Sequence, residues 1–263
     1  MKKQLFLCGL VLLLLASPLL AQGVDESSRY NSYEGTTSMG PSIVASTSWV
    51  GAMAQAAGAT EVIVLAPTEL RHPPEYDFAP NDIIRATQAD LVLWAGYEGF
   101  MRNLVRASEI PASRVVQVDT NNAPDKLLIS VEALAQLFDT MEYFSVWKEK
   151  LNQLSGELLA GAETQAASSM TAAVQFHHQA LARYLGYKVE FVYGPQDLTL
   201  SDIQKIEALN PDIIIDNWHS PQGEPFQKEG RKYVQLINFP GPFETSGLLD
   251  VLRYNGRQLE YFE

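Results

Sequence analysis

The sequence predicts an α/β protein of two lobes, each with a mostly parallel sheet flanked by helices, joined by one long α-helix. Three observations carry this. Short β-prone runs alternate with helical segments over residues 42–118, and the alternation returns over 171–261. Between them, apolar residues recur at steps of three or four from Leu127 to Leu158. Strands alternating with helices place parallel strands in one sheet with helices on its faces. A three-to-four-residue stripe is one face of a helix.

The elements follow in order. Lys2 and Lys3 precede an apolar run from Leu5 to Ala16, and small or polar residues follow at Ala21-Gln22-Gly23. That is the layout of a secretory signal peptide, cleaved after Gly23 or after Ala21. The run is shorter than the ~20 apolar residues of a spanning helix, as is every later one, so no membrane insertion is expected. Residues 24–41 read as a polar leader. The first lobe (42–120) takes strands at 42–46, 61–65, 91–95 and 114–118. Its helices are expected at 49–57, at 97–107 and in a short segment capped by Asn81 or Asp82. The linking helix (121–168) starts at Pro124 with Asn122 as its cap, and its stripe includes Val131, Leu134, Phe138, Phe144, Leu151 and Leu154. Unbroken, it would run ~30 residues or about 45 Å; Asp139-Thr140 is the place where it would restart as two. The second lobe (169–263) takes strands at 171–176, 188–193, 212–215 and 233–237, with helices at 179–185, 201–209 and 247–261. No internal sequence repeat is visible.

Composition narrows the function. The only cysteine, Cys8, lies inside the signal, away from the cleavage point where lipidation would need it. The mature chain of about 240 residues therefore offers no disulfide and no thiolate metal site. The signal carries two lysines and no acid, so the net charge of −12 becomes −14 on its removal. Such acidity argues against nucleic acid and anionic lipid as partners and suits cations. No G-x-S-x-G, H-E-x-x-H, phosphate loop or G-x-G-x-x-G is present.

Four histidines remain, each at the end of a predicted strand: His72, the adjacent His177 and His178, and His219. In open α/β sheets, ligands bind beyond the carboxyl ends of the strands, and neutral imidazole is the commonest metal ligand. Glu75, Asp216 and Glu244 sit in the same class of loop and supply carboxylates for a tetrahedral set. Adjacent residues do not readily share one metal, so one of His177 and His178 is expected to be structural.

At these residues the chain resembles the zinc- and manganese-binding receptors of ABC importers, thinly from about Ile43 to Leu259. Ile43–Trp49 (IVASTSW) resembles the family's first strand and the turn into its first helix. His72 through Asp82 (HPPEYDFAPND) resembles its first-ligand loop, Ala89–Leu93 the strand that follows, His178-Gln179-Ala180-Leu181 the second-lobe ligand motif, and Asp250–Asn255 (DVLRYN) the final helix. Two departures stand out. Pro74 occupies the place of the usual first histidine, with His72 two residues earlier, and Thr120–Asp125 lacks the usual histidine ahead of the linking helix. Asp216 represents the family's late acidic residue, and His219 is extra.

The resemblance implies a periplasmic monomer that captures a divalent metal and passes it to a membrane permease. His219 then replaces the missing histidine, giving His72, His178 and His219 with Glu244 or Asp216 as the fourth ligand. Three imidazoles and one carboxylate suit Zn2+, whereas Mn2+ prefers more oxygen. Two alternatives stay open. One is a clamshell receptor for an iron chelate, haem or cobalamin, using Trp49, Tyr97, Trp218 and Arg253. The other is a secreted zinc hydrolase, with Glu75 as the candidate general base.

Overall fold

The computed structural model describes residues 40–68, 70 and 75–262. The expected signal peptide, most of the leader, and His72 lie outside the described residues.

The first lobe holds β1 (Ser42–Ala45), β2 (Glu61–Val64), β3 (Leu91–Trp94) and β4 (Val115–Gln117), all parallel, in the order β2-β1-β3-β4. The second holds β5 (Thr171–Gln175), β6 (Lys188–Tyr193), β7 (Ile213–Asn217) and β8 (Lys232–Leu236), also parallel, in the order β6-β5-β7-β8. Helices α1 (Ser48–Ala56), α2 (Pro80–Gln88) and α3 (Gly99–Ser108) serve the first lobe; α6 (Gln179–Tyr184), α7 (Leu200–Leu209) and α8 (Leu248–Gln258) serve the second. The central strand β7 opens on three isoleucines, the run expected of a strand buried on both faces.

The two sheets share a strand order, and they share a clasp. Asp90 accepts hydrogen bonds from the Ser42 amide (2.8 Å) and hydroxyl (2.7 Å) at the start of β1. Asp212 does the same for Thr171 at the start of β5, at 2.8 Å each. These bonds hold both carboxyls below the usual carboxylate range. The two halves thus repeat a topology that left no repeat visible in the sequence.

The expected single linking helix is two helices, α4 (Pro124–Phe138) and α5 (Met141–Thr164). Asp139 takes the left-handed conformation at φ 57°, the Asp139 amide donates to the Gln136 carbonyl (3.3 Å), and the Thr140 amide donates to that of Ala135 (2.9 Å). That is a Schellman-type stop. The Thr140 hydroxyl then donates to the Ala57 carbonyl, fixing the break against the end of α1. Asn122 is not the cap of α4. Ala123 holds that position, and the Asn121 side chain accepts from its amide at 3.1 Å. Helix α2 likewise starts before the expected cap: Ala79 holds that position, Pro80 opens the helix, and the Asp82 carboxylate accepts from the Ala79 amide (2.8 Å).

The predicted stripe is buried on both linking helices, through Leu127, Val131, Leu134 and Phe138 on α4 and Phe144, Leu151, Leu154 and Leu158 on α5, but two of its expected members are not: Met141 is exposed at the start of α5 and Trp147 is half-buried. These residues join Ile43, Trp49 and Leu93 of the first lobe to Val174, Ile215 and Leu252 of the second in one continuous core. A shared core restrains the lobes from swinging apart.

Gly161, near the end of α5, faces the chain after α8. A Cβ there would lie 2.3 Å from the Tyr261 Cβ and 2.8 Å from its Cα. Because backbone must move, Gly161→Ala is expected to destabilise the chain by about 1–3 kcal/mol, read by urea unfolding. Unchanged stability would mean that this junction is loose.

Candidate ligand-binding cleft

With the strand order 2-1-3-4, the direction of chain crossing reverses between β1 and β3, and again between β5 and β7. A crevice forms at such points beyond the carboxyl ends of the strands. The residues just past those ends line one cleft of about 240 Å³. The first lobe contributes Thr47 and Trp49 after β1, Tyr97 after β3, and Thr120 and Asn122 after β4. The second contributes Gln175, the last residue of β5, with His177 after it, Pro195 after β6, Asn217, the last residue of β7, with His219 and Ser220 after it, and Asn238 and Phe239 after β8.

Local bonds set these side chains. Glu98 is fully buried, and its Oε1 accepts from the Ser46 hydroxyl (2.6 Å) and the Ala95 amide (3.1 Å). One carboxylate therefore ties the ends of β1 and β3 and sets the turn that carries Tyr97. Desolvation of its hydroxyl where it lines the cleft, and then the Glu98 charge, push Tyr97 up to about 12 although the residue as a whole is 55% exposed, so the phenol remains a hydrogen-bond donor. The Ser48 hydroxyl donates to the Pro240 carbonyl (2.9 Å) and links α1 to the loop after β8 across the two lobes.

In the second lobe, Gln175 Oε1 accepts from the His177 amide (2.8 Å) and caps the short turn 176–178. This turn separates the adjacent histidines. His177 lines the cleft, whereas His178 is fully buried in its lobe, near the Asn217 side chain and the Leu236 carbonyl. Burial, with a smaller contribution from His177, pulls His178 down to about 3, so it remains neutral. Asn217 Oδ1 accepts from the His219 amide (3.2 Å). The His219 ring lies over Phe239 with centroids 3.5 Å apart, and Trp218 meets it edge-on at 5.1 Å.

The carboxylates expected as ligands go elsewhere. Asp216 is buried, with Oδ1 accepting from the Tyr193 hydroxyl (3.0 Å) and the Asn217 amide (2.9 Å). Its Oδ2 accepts from the Gly223 amide (2.7 Å), the Gln222 amide (3.1 Å) and the Tyr233 hydroxyl (2.9 Å). A carboxylate so fully engaged is the organiser of the loop after β7. Glu75 and Glu244 are exposed, Glu244 at φ 58°, and neither lines the cleft. Among the described residues, no group of three His, Cys, Asp or Glu comes together as a metal site.

What the residue-by-residue search missed is the neutral lining. Trp49 and Tyr97 were expected only as contacts for a bulky ligand and Asn122 only as a helix cap, while Thr47, Thr120, Gln175, Asn217 and Asn238 had no expected role at the site. They carry no titratable signature; their sole sequence signal is position, just past a strand. Three of the lining residues hold a buried polar atom with no hydrogen-bond partner among the described residues: Trp49 Nε1, Asn122 Oδ1 and Asn238 Oδ1.

Solved structures share this architecture. The substrate-binding protein FpvC of Pseudomonas aeruginosa, in complex with Ni2+, superposes with a TM-score of 0.66 at 20% identity, covering 82% of this chain and 94% of that one. The chain has the substrate-binding-protein fold. The metal-dependent lipoprotein YcdH of Bacillus subtilis (TM-score 0.62, 16% identity, 83% and 97% covered) has the same fold. So does the laminin-binding protein Lbp of Streptococcus pyogenes (0.62, 16%, 84% and 98%). No family model matches the sequence, and no curated protein matches it. Every described strand end but that of β2 contributes to the lining of the interlobe cleft. No helix of the described residues is long and apolar enough to cross a membrane.

Proposed function

We propose that this chain is the periplasmic receptor of an ABC importer, a monomer that captures a divalent transition metal, zinc, in the interlobe cleft and hands it to the membrane permease. The observation that carries this reading is the placement of two imidazoles, His177 and His219, in one cleft at the ends of β5 and β7. The fold shared with a Ni2+-bound substrate-binding protein supports it. His72, which lies in the sequence between β2 and α2, is the proposed first-lobe ligand. Imidazole donors without a cleft-lining carboxylate among the described residues favour zinc over manganese. The continuous core across the lobes favours release by loop movement over wide hinge opening.

The geometry weighs against the two alternatives. A zinc hydrolase needs a general base beside the metal, and no carboxylate among the described residues lines the cleft. At about 240 Å³ the cleft falls below the ~300–1,000 Å³ typical of sites for drug-sized ligands, too small for a haem or corrin ring. Elemental analysis of the exported, untagged chain is expected to find one zinc per molecule, removable by a strong chelator. A chain that retains no metal and takes up none on zinc titration, with or without a small chelator present, would overturn the reading.

A further inference from the structure

The cleft is poorly matched to a bare ion. Its volume of about 240 Å³ far exceeds the ~10–15 Å³ that admits one water. Its described lining is neutral amide, hydroxyl and aromatic apart from the two imidazoles. Two buried residues of that lining, Trp49 (4% exposed) and Asn122 (6% exposed), each hold a polar atom with no partner among the described residues. An indole N–H only donates, so a cation cannot satisfy it. A buried donor left unmet costs roughly 1–3 kcal/mol, so a ligand that brings an acceptor is favoured. The Asn122 oxygen asks for the reverse, a ligand that brings a donor.

From this we infer that the cleft takes its metal together with a small organic chelator bearing both an amino group and a carboxylate. The inference rests on the metal-receptor reading and narrows its substrate class. The carboxylate accepts from the Trp49 N–H, and the amine donates to the Asn122 oxygen. Two chelator donors with His177 and His219 complete a four-coordinate site, the chelator taking the place given above to His72. A one-to-one complex of an amino acid with a divalent ion keeps one positive charge, in keeping with the net charge of −12.

Equilibrium dialysis with free zinc buffered at one activity tests this, with labelled L-histidine as the probe. At fixed free zinc, binding of the bare ion is the same with or without histidine, so added saturation reports the ternary complex. The expected result is labelled histidine retained one-to-one with zinc, and at least tenfold less without zinc. Trp49→Phe and Asn122→Ala are each expected to lower histidine retention at least tenfold, with melting of the metal-free protein checking that they fold. Retention of one zinc per chain with no histidine beside it would overturn the inference and leave the metal-receptor reading standing. Histidine retained equally with and without zinc would overturn the inference, and retention of neither would overturn both it and the metal-receptor reading. Citrate retained as well as histidine would overturn the amino-carboxylate class, because citrate brings no amine donor.

Discussion

His219→Ala is expected to lower zinc affinity by about a hundredfold or more, and His177→Ala by a similar factor. Loss of even an outer partner of a metal ligand typically costs about 10–100-fold, and loss of a ligand costs more. The two rings line the cleft from separate strand ends, so each removal should act without disturbing the other. His178→Ala should behave differently. The His178 ring is fully buried and the His219 ring nearly so, so either substitution leaves a cavity and lowers stability by about 1–3 kcal/mol; His178→Ala differs in having little direct effect on zinc. The same buffered-zinc dialysis, with histidine present, reads the affinities, and thermal melting reads the stability. Wild-type affinity in both His177→Ala and His219→Ala would remove the proposed ligands. A hundredfold loss in a well-folded His178→Ala would restore that residue as a ligand.

The second large effect is on stability against pH in metal-free protein. His178 is held neutral by burial, at about 3, against an ordinary histidine value of ~6.5 in the unfolded chain. Because its folded value is the lower one, the unfolded state binds the extra proton. Stability is therefore fully present above ~6.5 and is lost as pH falls from there toward 3. The slope approaches about 1.4 kcal/mol per pH unit, or roughly 2–3 kcal/mol between pH 6.5 and 4.5. The clasps at Asp90 and Asp212 have depressed values, so their contribution is lost only at still lower pH. Urea unfolding of wild type and His178→Gln across this range checks it, since glutamine fills much of the space without titrating. Equal slopes for the two proteins would mean that His178 becomes charged within the fold.

The alternation of strands and helices, the two lobes and the apolar stripe of the linking segment were all legible in the sequence, because each is a periodicity that burial imposes locally. The rule that ligands lie past strand ends directed attention to all four histidines; His177 and His219 line the cleft, whereas His178, the ligand implied by the resemblance, is buried away from it. Three matters were decided only by tertiary structure. The stripe continues in phase across Asp139, so periodicity alone favours one helix; the contact of Thr140 with the end of α1 accompanies the division into two. His177 and His178 are neighbours of one residue type, and only the turn capped by Gln175 decides which faces the cleft. Asp216 looks like a ligand when it is read as a carboxylate past a strand. Folding surrounds it with two tyrosine hydroxyls and three backbone amides brought from residues far apart in the chain or turned back by the loop. A side chain's type and position along a strand are local properties of the sequence. What its polar atoms meet depends on which loops fold back over it, and that is settled only when the lobe closes.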